Sequence, residues 1–240
     1  MTNRRLTEAE IQFNHKRADA LARTDAAYVA SAPFVFANRV TVTAALSRIE
    51  LFKMVMDVPG AIVECGVYRG NSLMLYMHLS SILEPYAINR SIIGFDTFAG
   101  FTSIDEEEDP KDIDAKMFSD TDPTLIQDMI DATDLVRPVN RIPRCQLVKG
   151  DIAQTAPEFV KTRPDLVVAM LILDTDLYES TKVALQTFLP LMPKGGVVVF
   201  DEVAYVNFPG ETSALKEVLD LNKVELKRLP FDSCVGYFRV

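Results

Sequence analysis

From Ala61 onward the chain alternates short apolar runs with segments of helical periodicity, and this alternation limits the possible folds more than any other feature. AIVEC (61–65), SIIGF (91–95), CQLVK (145–149), LVVAMLIL (166–173) and GGVVVF (195–200) have the length and composition of strands. LVVAMLIL is apolar on both faces, as suits a central strand of a parallel sheet that helices cover on both sides. Leu73, Tyr76, Met77 and Leu83 fall on one side of a helix after the first strand, and further helices are predicted over 123–135, 180–192 and 211–221. KVELKR (223–228) and CVGYFRV (234–240) end the chain, and the short LPFDS turn between them predicts an antiparallel pair. Strands alternating with helices predict an α/β fold built on a doubly wound, mostly parallel sheet, here of seven strands.

Two segments fall outside this rhythm. Residues 1–58 read as an N-terminal helical extension: the first thirty are polar and Ala-rich, and Val42, Leu46, Ile49, Phe52 and Met56 follow at helical spacing. The main domain is then 59–240. Inside it, the connection at about 97–140 is too long for one crossover helix, and it is read as a lid-like insertion bordering a site. Its acidic run, Glu106 to Asp109, is read as solvated surface.

Charge and rare residues narrow the function. A net charge of -9 argues against nucleic acid as a partner, since a phosphate-backbone binder carries a basic face. The basic cluster Arg137, Arg141 and Arg144 is read as a solvated connection. Three scattered cysteines (Cys65, Cys145, Cys234) form no CxxC pair and suit buried thiols in a reducing compartment. Two histidines are too few for a histidine-rich metal site, so a metal would be held mainly by carboxylates and would be a hard ion such as Mg²⁺, Ca²⁺ or Mn²⁺. No apolar run reaches membrane-spanning length and the N-terminus lacks an apolar signal core, so the expectation is a cytoplasmic protein that does not enter a membrane. The apolar faces of the N-terminal helices predict a homo-oligomer.

Ligands of doubly wound sheets bind beyond the carboxyl ends of the strands. Here the first strand ends in Glu64-Cys65-Gly66, followed by VYRGNS, a GxxxG pattern that disfavours the dinucleotide turn GxGxxG. The second ends in Asp96, which is either a ribose-binding acid or a cap. Gly150-Asp151 follows the third, Asp174 and Asp176 follow the fourth, and Asp201-Glu202 follow the fifth. Carboxylates at the end of a buried strand are costly unless something pairs with them. Asp174 and Asp176, two apart, would share a face of the strand. Asp174 and the Asp201-Glu202 pair would come from adjacent strands, and a divalent cation would relieve their repulsion. One aspartate of DTD then binds metal and the other acts as a base.

IVECGVYRGNS, IIGFDTFAGF, KGD, LDTDLYEST and PKGGVVVFDE together resemble the TylF/macrocin O-methyltransferase family over residues 60 to 220. That resemblance implies a Rossmann-like class I methyltransferase sheet ending in an antiparallel strand. It also implies S-adenosyl-L-methionine as cofactor, Mg²⁺ or another hard divalent cation, and methylation of a hydroxyl on a sugar-containing small molecule. By the same resemblance Glu64, Gly66 and Ser72 would lie along the methionine moiety, Asp96 at the ribose, and Asp151 and Ile152 beside the adenine. Asp174, Asp201 and Glu202 would ligate the metal and Asp176 would be the catalytic base. Many members carry two aspartates where this chain has Asp201-Glu202. The competing readings are a metal-dependent O-methyltransferase of a non-sugar acceptor such as a catechol, a nicotinamide-dependent dehydrogenase, and a non-catalytic protein with a degenerate pocket.

Overall fold

The computed structural model describes residues 7–240. The chain divides into two compact units, residues 1–46 and 47–240, and the division falls inside a helix. The first unit holds α1 (Glu8–Leu21), α2 (Ala26–Ser31), α3 (Pro33–Phe36) and the start of α4 (Arg39–Lys53). Helix α1 begins at a capping box: the Thr7 hydroxyl accepts the Glu10 N–H at 3.2 Å and the Glu10 carboxylate accepts the Thr7 N–H at 2.8 Å. Asp25 caps α2 by accepting the Tyr28 N–H at 2.7 Å. The part of the predicted extension before Thr7 lies outside the described residues.

In the second unit the strands are β1 (Ala61–Cys65), β2 (Ile92–Asp96), β3 (Cys145–Lys149), β4 (Val168–Leu173), β5 (Val197–Phe200), β6 (Lys227–Arg228) and β7 (Gly236–Arg239). They form one seven-stranded sheet in the order β3-β2-β1-β4-β5-β7-β6. β1 to β5 run parallel, and β7 pairs antiparallel with both β5 and β6. The helices of this unit are α5 (Asn71–Leu83), α6 (Pro123–Val136), α7 (Ile152–Thr162), α8 (Tyr178–Phe188) and α9 (Gly210–Val218). Every residue of β1 and β4 is buried. Successive side chains of β4 serve opposite faces: Met170 and Ile172 join one core with Phe52, Tyr76 and Ile130, while Leu171 and Leu173 join another with Phe95, Phe188 and Phe200. Each such side chain, fully buried, contributes about 1.5–3 kcal/mol. The doubly apolar pattern of LVVAMLIL is thus the mark of a strand between two cores.

The strand order reverses at β1, which pairs with β2 on one side and β4 on the other. The carboxyl ends of β1 and β4 therefore flank the topological switch point, where ligands of such sheets bind.

Several elements differ from the sequence-based expectation. β6 is two residues long, because most of KVELKR never joins the sheet. Helix α7 was not anticipated: Pro157 lies inside it, although Ile152 and Ala156 are buried at helical spacing and Asp151 caps it. The basic cluster is not a solvated connection throughout. Arg141 is exposed, but Arg137 and Arg144 are buried. Arg137 pairs with Asp134 and donates to the Ile142 carbonyl, while Arg144 donates to the carbonyls of Ala87 and Arg90. These guanidiniums satisfy loop carbonyls that no strand neighbour reaches. Asp109, in the acidic run, is also buried rather than solvated.

Candidate active site

The turn after β1 is shaped by close approach. Gly66 adopts φ +91°, and a Cβ there would overlap the carbonyl oxygen of Asp174. This contact brings the end of β1 against the end of β4, with the Asp174 N–H donating to the Cys65 carbonyl at 2.9 Å. Asp96, at the end of β2, holds the same turn. Its Oδ2 accepts the N–H groups of Val67 and Tyr68, both at 2.8 Å, and its Oδ1 accepts that of Phe98 at 2.7 Å. The acid expected at the ribose therefore also organises the glycine turn. Helix α5 starts just beyond Gly70.

Glu64 is 1% exposed, yet its Oε2 has no hydrogen-bond partner among the described residues. Ser72 hydrogen-bonds the carboxyl group, and burial, only partly opposed by Arg48, pushes its pKa up to about 8. Glu64, Gly66 and Ser72 thus line one turn and leave a buried acceptor open. Asp151 caps α7 through the Ala153 N–H at 2.9 Å and accepts the Ser103 hydroxyl at 2.7 Å. Ile152, buried, opens the same helix. Ser103 belongs to the 97–140 insertion, so one end of that insertion is tied to the predicted adenine position. Further ties are the Arg69–Asp120 ion pair and the edge-to-face contact of Phe118 with Tyr68, at a centroid separation of 5.1 Å.

The DTD segment is not built as expected. β4 stops at Leu173, and Asp176 adopts a left-handed φ of +61°. Strand alternation therefore does not place Asp174 and Asp176 on one face. The turn brings them together instead, close enough for the Asp176 charge to disfavour that of Asp174. Burial first, and then Asp201, hold Asp174 well above the usual carboxylate range. Burial, Asp201 and Asp109 push Asp176 up to about 7. Burial, Asp176 and Asp201 push Glu202 up to about 8. These shifts mark one desolvated group of like charges at the ends of the parallel neighbours β4 and β5.

Two residues of this group escaped the sequence reading. Arg48, on α4, donates to Asp201 Oδ1 at 2.7 Å and lies 3.5 Å from Asp174 Oδ2, with its side chain only 10% exposed. It shares a helix face with the buried Leu51 and Phe52, and a lone charge on an apolar stripe was the available signal. Glu211, fully buried at the start of α9, accepts the backbone N–H groups of Thr175 at 3.1 Å and of Asp176 and Glu202, both at 3.3 Å. Nothing in the spacing of ETSALKEVLDL distinguishes that glutamate from a surface one.

The family model of macrocin O-methyltransferase (TylF) matches residues 8–239. The chain belongs to the macrocin O-methyltransferase (TylF) family. This TylF-family chain is an O-methyltransferase, and the family implies S-adenosylmethionine as its cofactor. The crystal structure of CalS11, a calicheamicin methyltransferase, is similar at 31% identity over 98% of this chain and 94% of that one, with a TM-score of 0.90. Apo CalS11, described as a TDP-rhamnose 3'-O-methyltransferase of calicheamicin biosynthesis, gives 30% identity over 98% and 96%, with a TM-score of 0.84. The O-methyltransferase NovP shares the fold at 20% identity over 82% and 78%, with a TM-score of 0.63. No curated protein matches in sequence.

The residues fit this cofactor. Its ammonium and sulfonium are cationic, and the turn offers the unpartnered Glu64 Oε2. A hard cation also suits the donors at β4 and β5, which are all carboxylates, and Glu202 Oε2 is buried without a partner. Among the described residues, however, no three His, Cys, Asp or Glu side chains are already drawn together as a ligand set. Arg48 supplies the positive charge between Asp174 and Asp201.

Proposed function

We propose that this O-methyltransferase methylates a hydroxyl of a sugar, carried on a nucleotide or on a glycosylated natural product, with help from Mg²⁺ or another hard divalent cation. The sugar reading is supported by the full-length similarity to CalS11. The cation reading is supported by the acids Asp174, Asp176 and Glu202, which burial first and nearby carboxylates second hold above their ordinary pKa.

S-adenosylmethionine, when bound, would supply a methyl group on a sulfonium, whose sulfur leaves as a neutral thioether. A divalent cation, when bound, supplies Lewis-acid polarisation of the acceptor oxygen. Asp174, Asp201 and Glu202 would hold the cation. Asp176 takes the proton from the acceptor hydroxyl onto its own carboxylate, and its raised pKa suits it to do so near neutrality. Glu64 and Ser72 orient the amino-acid end of the cofactor, Asp96 serves its ribose, and Asp151 and Ile152 flank its adenine. The 97–140 insertion acts as a lid that excludes water over the 59–240 catalytic domain, with residues 1–58 as a helical extension. Holding the reactants in line supplies up to about 7–11 kcal/mol of the acceleration.

Calorimetric titration tests this directly. S-adenosylmethionine should bind wild type and Asp174→Ala alike, and Mg²⁺ added afterwards should bind wild type alone. Equal Mg²⁺ binding by both would remove the metal assignment. Nucleotide-linked sugars, glycosylated natural products and catechols, offered in parallel, then separate the acceptor classes by methyl transfer.

The protein is further proposed to be a cytoplasmic homo-oligomer. No helix among the described residues is long and apolar enough to cross a membrane. Phe34, Val35 and Val40 are 80%, 70% and 66% exposed, an apolar surface that suits a second copy. Light scattering on the eluting protein should report more than one chain, and Phe34→Asp should shift it towards the monomer.

A further inference from the structure

The geometry points to Glu211 as the positioning residue that holds the Asp176 turn and the Glu202 turn in one fixed relation. The inference rests on the reading of Asp176 as proton acceptor and Glu202 as metal donor.

Parallel strands β4 and β5 end at Leu173 and Phe200, and the ladder runs one residue further, with the N–H groups of Asp174 and Asp201 donating to the carbonyls of Cys65 and Leu173, both at 2.9 Å. Thr175, Asp176 and Glu202 each turn an N–H inward. A glutamate carboxyl group offers two oxygens, each able to accept hydrogen bonds. Glu211 uses Oε1 for Thr175 and Asp176 and Oε2 for Glu202, so the two oxygens serve different loops. It makes none of these bonds to its own helix, so helix capping does not explain it.

The approach that allows this is built into the preceding residue. A Cβ on Gly210 would lie 2.8 Å from the Asp176 carbonyl oxygen, and closer still to the Tyr178 nitrogen and Asp109 Oδ1. The start of α9 is thereby pressed against the DTD turn. Asp109 accepts the Tyr178 N–H at 2.8 Å next to it. Asp176 sits at φ +61°, a conformation that non-glycine residues adopt at a cost, so its turn needs an external hold. A buried acid beside Asp176 and Asp201 is a poor choice for stability alone. Its placement is explained by what it fixes: two turns from separate strands whose side chains must act together.

Glu211→Gln keeps the shape but replaces one acceptor oxygen by an NH₂, so it can satisfy the turn of only one strand. Hydrogen exchange is followed at the amides of 175, 176 and 202 and at those of β1 and β2. S-adenosylmethionine affinity is measured by calorimetry and Mn²⁺ affinity by electron paramagnetic resonance. Exchange should quicken at least about tenfold at one or both turns, with β1 and β2 unchanged. S-adenosylmethionine affinity should hold within about threefold while Mn²⁺ affinity falls at least about tenfold. The proposal is overturned by wild-type exchange at all three amides, by parallel loss of cofactor and Mn²⁺ affinity, or by unchanged Mn²⁺ affinity where wild type binds the ion. If wild type binds no Mn²⁺, the metal reading falls, and the exchange comparison alone decides for or against Glu211. If Glu211→Gln does not fold, Gly210→Ala takes its place. That variant retains the carboxylate but pushes α9 off the turn, so both turns should exchange faster, and wild-type exchange in it refutes the idea.

Discussion

At the scale of single residues, the chemistry depends on carboxylates kept where they are expensive. Asp176 shows this most clearly, being half-buried, left-handed and near other acids. If it is the base, Asp176→Asn should cut the rate by about 10²–10⁴ while leaving S-adenosylmethionine and Mg²⁺ affinities near wild type. Single-turnover kinetics beside calorimetry would check this, and an unchanged rate across all pH values would exclude the role. The acid pairs themselves were legible in the sequence, because charges interrupt apolar strands there. Their partners were not. Arg48 comes from a helix far away in the chain and Glu211 from the helix after β5, and Asp96 and Asp151 turn out to bond backbone groups.

At the scale of elements, buried arginines hold the loops on the side of the sheet away from the acids. Arg90 pairs with Glu84 at 2.8 Å, and both side chains are under a tenth exposed. It also donates to the carbonyls of Gly60 at 2.6 Å and Val55 at 2.9 Å, tying the lead into β1 to the end of α5. Arg90→Ala strands the Glu84 carboxylate in the interior and should cost about 3–5 kcal/mol. A fall in the urea midpoint with the slope unchanged would measure it. Arg90→Lys should recover little, since an ammonium lacks the planar fork that reaches carboxylate and carbonyls together. The elements were legible where apolar periodicity was strong, as in β1, β2, β4 and α5. They were not where tertiary pairing decided the matter, as in β6, or where a proline masked the pattern, as in α7.

At the scale of the whole molecule, the acid cluster links stability to pH. Glu64 and Glu202 are pushed up to about 8 and Asp176 to about 7, whereas unfolded carboxyls titrate near about 4. The folded state therefore binds more protons than the unfolded state across that window. Stability from these groups is complete below the unfolded values and is lost as pH rises through the folded ones. Without added divalent cation, the melting temperature should fall between about pH 5.5 and pH 8.5, and Mg²⁺ should raise it more at the upper end. A melting temperature that climbs across this range would contradict the linkage. The sequence by itself determined the α/β class, the five parallel strands and the acids at their carboxyl ends. Each of these follows from local periodicity or from the cost of placing charge beside an apolar run. Only the tertiary structure decided how the acids are held: the left-handed turn at Asp176, the guanidinium between Asp174 and Asp201, and the carboxylate that ties two strand ends together. The physical reason is that backbone groups at the ends of parallel strands lose their ladder partners. What replaces those partners comes from whichever distant segment the packing brings near, and no local pattern records it.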